Sequence, residues 1–399
     1  MFSVENFYYV LYTHLLKPSK LIDLSFHPFG STNPTDLKTL VYTDDHLISN
    51  RYVKGSQKYL VFYDQEPLIP DAIANLISNT ETRFITSNLD QLRIFANSEH
   101  SMFKDEICKT YSLLDFYYFY HGFAALDWYS DLKYFKNINH QFDKTFVSLN
   151  RLCTKERSYR LQLVSELTER EIIDYGHVSL QLVVNNENIL KRELVDPNCL
   201  LSKQAKIKTF KQLGKLQHNL TLDEYDVPGS ASANIGYHEH KLLQSGLWNI
   251  VTETVFYHKK LHLTEKIFKP IAVQRPFILV AAPGNLAYLK TYGFKTFDRW
   301  IDESYDLEED NDKRIQMIVD EIEKLSNLSW DETLAMYEEM QEVLEYNFDH
   351  FYGEFKTIIV DELVDNFKTC LDKWNTMNPT SPIDVSVYDF TNIKKILSA

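Results

Sequence analysis

Short unbroken apolar runs alternate along the chain with stretches whose apolar residues recur every three or four positions, and this predicts strands and helices in turn. Residues 6–16 have helical spacing, with Tyr8, Leu11, Tyr12 and Leu15 on one side and Pro18 closing the run. Residues 21–26 alternate as a first strand and lead into a Gly30-Ser31-Thr32 loop, read either as an anion or acceptor contact or as an ordinary polar turn. Residues 59–63 make the strongest strand of the amino-terminal half, followed by a helix at 70–78. A strand at 83–87, a helix at 90–98 and an aromatic strand-like run at 116–123 come next.

The second half repeats the pattern. A strand at 144–149 precedes a helix with Leu161, Val164 and Leu167 on its apolar face, then a strand at 175–180. Residues 185–235 are polar and Lys-rich and read as surface helices with a loop near 228–233. Residues 248–255 and 276–280 are buried strands, separated by a helix that Thr264 caps, and a helix at 285–292 stops at Gly293. Amphipathic helices at 310–325 and 330–346 and a helical run at 348–374 close the chain. Strand then helix, repeated, implies parallel sheets whose ligands lie outside the carboxyl ends of the strands. The chain is therefore read as α/β, with two Rossmann-like domains at 1–143 and 144–345 and a helical tail at 346–399.

At 399 residues, 44% hydrophobic and 14% aromatic, the chain can bury the cores of two domains. The amino terminus has Glu5, Asn6 and His14 inside its apolar stretch and fails as a signal peptide, and no run of eighteen apolar residues exists, so a cytoplasmic protein without a membrane span is expected. Cys108, Cys153, Cys199 and Cys370 are scattered and read as reduced core thiols. No metal is expected, since neither an Asp-x-Asp pair at a strand end nor a His/Cys cluster occurs. The net charge of −14 is uneven: acids gather in residues 298–345, while Lys203, Lys206, Lys208, Lys211 and Lys215 help to make the middle of the chain basic.

Several polar residues stand where a parallel sheet presents its ligand edge. Glu253 ends one strand, and Thr264, Glu265 and Lys266 open the helix that follows. A strand-end acid, a helix-start acid and a lysine suit sugar hydroxyls and a diphosphate, though a capped, solvated first turn uses the same residues. Asn150 and Arg151 end the strand at 144–149, and Arg157 and Arg160 start its helix, which fits a diphosphate site or a solvated basic turn. In the first half, Asp64 and Glu66 follow the strongest strand, and Pro67 holds Glu66 extended. Either could take the proton of an attacking hydroxyl, or both could form an acidic turn. His121 and Asp127 are candidates for lining a cleft between the domains, with a satisfied core histidine as the plainer reading.

The acid followed by Thr-Glu-Lys and an apolar strand ending in a small turn, across 249–284, resembles the donor-binding motif of the α1,3-fucosyltransferase family. The family's Asn and Ser after the acid are here Thr254 and Val255, so its base and sugar are not carried over. The chain as a whole resembles uncharacterised glycosyltransferase-like proteins of phages and bacteria, through the stretches FHPFGST, FYDQEPL, FYHGFAALDW and GFKTFDRWIDESYD. The resemblance implies a GT-B-like arrangement, with two Rossmann-like domains facing a cleft and the tail packing back on the first. It implies a metal-independent glycosyltransferase whose substrate is a nucleotide sugar, with no other cofactor, and whose acceptor is a glycan or another hydroxyl. DNA carrying a hydroxymethylated base is an alternative acceptor, served by the basic middle of the chain, and an inactive sugar- or nucleotide-binding module is the non-enzymatic alternative.

Overall fold

The structure, a computed structural model, describes residues 7–8, 10–16, 23–26, 58–70, 73, 92–135, 141–184, 187–214, 216, 219–220, 222, 237–380 and 382–398. The expected Gly30-Ser31-Thr32 loop, the strand at 83–87, most of the helix at 70–78 and the loop at 228–233 lie outside the described residues. The chain divides into two compact units, Met1–Asp127 with Glu354–Ala399, and Trp128–Gly353. Each is α/β with a parallel sheet.

In the first unit four parallel strands, β1 (Asp23–Phe26), β2 (Lys58–Phe62), β3 (Leu92–Asn97) and β4 (Leu114–Tyr117), lie side by side in chain order. Helix Met102–Thr110 links β3 to β4, with the Ser101 side chain accepting from Lys104 N at its start. Its Ile107 joins Val61, Tyr63 and Phe95 in the core. Helix Glu354–Met377 packs on β4. Phe367 meets Phe116 edge-on with ring centroids 5.4 Å apart, and Asn366 Nδ2 donates to the Tyr117 carbonyl at 3.0 Å. A Cβ on Gly122 would lie 2.9 Å from the Phe355 ring, so glycine permits that helix its close approach.

Two elements differ from the sequence expectation. The helix expected at 90–98 is strand β3, because residues 94–98 are buried between β2 and β4 and the pairing there outweighs their helical spacing. The strand-like run at 116–123 stops at Tyr117 and continues as helix Tyr120–Trp128, whose residues 120–125 are all buried. A helix enclosed on every side shows no 3.6-residue period, so its sequence resembles a buried strand.

The second unit holds β5 (Lys144–Asn150), β6 (Gly176–Leu180), a small antiparallel pair β7 (Val183–Val184) and β8 (Glu187–Asn188), then β9 (Gly246–Thr252) and β10 (Phe277–Val280). Its main sheet is parallel, in the order β10-β9-β5-β6. All seven residues of β9 are buried, as expected of a strand covered on both faces. The chain steps outward from β5 to β6, then crosses to the other side of β5 and steps outward again from β9 to β10. The order reverses between β5 and β9, and in open α/β sheets that switch point opens a crevice at the strand ends. Helices Asn311–Ser326 and Trp330–Tyr352 follow as expected, the second opened by a full Ser329/Glu332 capping box. Among the described residues, no helix is long and apolar enough to cross a membrane.

Candidate functional site

The switch point gathers most of the donor-site candidates. β9 ends at Thr252, so Glu253 stands one residue past the strand rather than inside it. Its side chain is fully buried and both carboxylate oxygens are engaged. Thr264 N donates to Oε1 at 3.1 Å, while Thr264 Oγ1 at 2.5 Å and Thr254 N at 3.2 Å donate to Oε2. Glu253 is thus a strut that fixes the next turn against the end of β9. Thr264 caps that turn as expected, its side chain accepting from Lys266 N. The Lys266 ammonium lies 2.9 Å from Thr264 Oγ1, 3.2 Å from Glu265 Oε1 and 3.3 Å from Thr254 Oγ1. Glu265 is buried and Lys266 half-buried, so the lysine is the member of this cluster that an approaching anion meets first.

Across the switch point, Asn150 ends β5. Its Nδ2 donates to Ser148 Oγ at 3.0 Å and to the Ser179 carbonyl at 3.2 Å, and the carbonyl partner fixes which way the amide points. Asn150 Oδ1 is buried and has no hydrogen-bond partner. A buried amide oxygen left in this state costs about 1–3 kcal/mol. Helix Tyr159–Glu169 begins nearby, and its N-cap Ser158 makes no cap hydrogen bond, its hydroxyl instead meeting Tyr257 OH at 3.1 Å. The turn before it is pinned by Glu193, whose carboxylate accepts from Lys155 N at 2.6 Å and whose pKa burial raises.

The four cation-turn candidates separate into two kinds. Arg160 is buried, with Nη1 on the Leu152 carbonyl at 2.9 Å and Nη2 on the Thr252 and Glu253 carbonyls at 2.8 and 3.1 Å. It ties the loop after β5 to the end of β9 and presents little surface to a ligand. Arg151 is exposed and Arg157 half-buried. Beyond β10, the N-terminus of helix Asn285–Thr291 is already filled. Leu286 N and Ala287 N donate to the Asp306 carboxylate at 3.0 and 3.1 Å, while Gly284, at φ +85°, supplies the left-handed turn into the helix.

The other candidates belong to the first unit. Asp64 follows β2 with no exposed surface. Its Oδ2 accepts from Tyr8 OH at 3.0 Å and from Tyr118 OH, and Gln65 Nε2 donates to Tyr8 OH at 3.0 Å. Burial pushes the Asp64 carboxyl up to about 6, against the phenol hydrogen bonds and the nearby His121 imidazole, which favour its ionised form. His121 is therefore brought to Asp64. Asp127 is not its companion: six positions on along the helix, it points roughly 120° away. Glu66 is half-buried and is the more accessible of the two carboxylates. Among the described residues, no three His, Cys, Asp or Glu side chains form a ligand set.

The sequence reading missed Tyr8 and Tyr118 as partners of Asp64, and Tyr159, whose hydroxyl donates to the Glu253 carbonyl at 2.5 Å and whose ring stacks on Phe256 at 4.3 Å. Nothing local marks them, since each is one aromatic among 25 tyrosines and 25 phenylalanines. Comparison with protein-family models, with curated proteins and with solved structures finds no match to the chain.

Proposed function

We propose that the protein is a glycosyltransferase that moves a sugar from a nucleotide-sugar donor to a hydroxyl acceptor without a metal, on a GT-B-like fold. In the reaction, the acceptor oxygen bonds to the anomeric carbon as that carbon's bond to the diphosphate breaks. The acceptor proton passes to a carboxylate, and the nucleoside diphosphate leaves with added negative charge. Cations and helix N–H groups stabilise that charge. Arg151, Arg157 and Lys266 are the proposed cations, and Asp64 or Glu66 the proposed base, with Glu66 the one an acceptor reaches without displacing Tyr8 or Tyr118.

The observation that carries this reading is the partnerless Asn150 Oδ1, buried at the switch point of a parallel sheet beside an uncapped helix start. A nucleoside or sugar hydroxyl satisfies that oxygen, and the diphosphate suits the helix start. The resemblance of residues 249–284 to a donor-binding motif adds support. The test is calorimetry and thermal unfolding of the full chain with GDP, UDP, ADP and CMP sugars. A true donor at a hundredfold its Kd raises stability by about 2.7 kcal/mol. With that donor, Glu66→Gln or Asp64→Asn should lower transfer by ~10²-fold while donor affinity stays within a few fold. Absence of binding by all four classes refutes the donor site, and binding without transfer to any hydroxyl acceptor leaves an inactive binding module.

A further inference from the structure

Two helices of the second unit expose opposite halves of a charge pattern. Helix Lys203–Leu213 contains four lysines and no acid. It buries Ala205, Thr209 and Leu213, and on that side Lys208 pairs with Glu166 and Glu169 of the neighbouring helix. At 100° per residue, Lys203, Ile207, Phe210 and Lys211 fall on the opposite face. That face is open to solvent, with Ile207 62% and Phe210 46% exposed. Lone exposed apolar residues need no explanation, but a phenylalanine and an isoleucine one turn apart between exposed lysines, in a chain of net charge −14, make a patch.

Helix Trp330–Tyr352 is the counterpart. It contains no lysine or arginine, and Asp331, Glu338, Glu342 and Glu345 lie within roughly 40° of one line along its outer face. Leu334 and Tyr346 flank that line, 38% and 39% exposed. Among the described residues, none of these four acids and neither Lys203 nor Lys211 takes part in an ion pair within the chain. An acidic helix of this length could be a solvated face by itself. The pairing is informative because both faces carry apolar residues beside the charges, which solubility does not require.

We propose that these faces bind each other between two copies of this chain, the lysine face of one protomer on the carboxylate face of its partner. About a two-fold axis the contact is made twice, lysine face on carboxylate face and the reverse, so the dimer interface as a whole is isologous. Ile207 and Phe210 pack against Leu334 and Tyr346, and the charges set register and orientation. The inference stands apart from the transferase reading, since neither face contributes a residue to the switch-point site.

Charge reversal tests it on the full-length protein. K203E/K211E makes both faces of a protomer acidic, and E338K/E342K/E345K makes both basic, so each variant alone should sediment as a monomer at roughly micromolar concentrations where the wild type dimerises in low salt. Mixing the two variants pairs an acidic face with a basic one at both contacts and should restore dimerisation, as should all five changes in one chain. All substituted positions are exposed, and circular dichroism confirms that each variant is folded. A wild type that stays monomeric up to roughly 100 µM in low salt overturns the proposal. So does a mixture that fails to dimerise, or a wild type whose lysine face binds duplex DNA or anionic vesicles while it remains monomeric.

Discussion

Replacing Glu253 with glutamine turns one acceptor oxygen into an NH2 donor and leaves the shape intact, yet the second unit should lose roughly 2–4 kcal/mol of stability. The carboxylate accepts from Thr264 N through one oxygen, and from Thr254 N and Thr264 Oγ1 through the other. A glutamine amide must set its NH2 in one of those places. Either choice brings it against a main-chain N–H that cannot turn away, and a buried donor without an acceptor costs about 1–3 kcal/mol. The remaining bonds lose their charge assistance, about 1 kcal/mol each, partly offset because a net charge is no longer buried. Of the five tryptophans, Trp128, Trp248, Trp300 and Trp330 belong to the second unit, so urea unfolding followed by intrinsic fluorescence reports on it. Thr264→Val removes the hydroxyl from the same network, and in a double-mutant cycle the two changes should couple by about 1 kcal/mol or more. If Glu253→Gln unfolds within about 0.5 kcal/mol of wild type, or the two variants add, Glu253 is not the strut described.

Asp64→Asn should flatten the pH dependence of the first unit. A carboxyl that titrates at about 6 when folded and near 3.8 when unfolded holds its proton longer in the native state. Stability therefore falls as pH rises from about 4 to 6, reaching a cost of about 3 kcal/mol above pH 6 that asparagine does not incur. Equal slopes for wild type and variant in pH-resolved unfolding would show that the Asp64 carboxyl is solvated. Arg160 and Arg157 should differ: Arg160→Ala removes a donor from three main-chain carbonyls, of which that of Glu253 keeps Tyr159 OH, and should cost about 3 kcal/mol in urea unfolding. Arg157→Ala should weaken donor binding by roughly tenfold in calorimetry; unaltered affinity would remove it from the diphosphate site.

Much of the architecture was legible in the residues because it depends on local pattern. The apolar runs of β5, β9 and β10 are buried on a sheet, and the sequence order of strand and helix is enough to imply parallel pairing. Thr264 announces its cap by residue type and position, and the long carboxyl-terminal helices show their amphipathic period. Leu92–Asn97 and Tyr120–Trp128 were misread because the neighbours an element packs against decide its type: sheet pairing outweighs the helical spacing of the first, and burial on all sides erases the period of the second.

At the site, the sequence by itself determined which polar residues follow strands, and so which stand at the ligand edge of a parallel sheet. Their roles it could not assign. Arg157 and Arg160 lie three positions apart, yet one is half-buried and the other is locked onto carbonyls of β9 and its end, more than ninety residues away. Asp64 acquires its raised pKa from burial, against the hydrogen bonds of Tyr8 and Tyr118, each more than fifty positions distant. The switch point exists only because β9 pairs with β5 on the side opposite β6. Strand order, enclosure and hydrogen-bond partners are contacts between distant segments. A single sequence read by period and propensity carries the local terms of the folding free energy, and these contacts belong to the non-local ones.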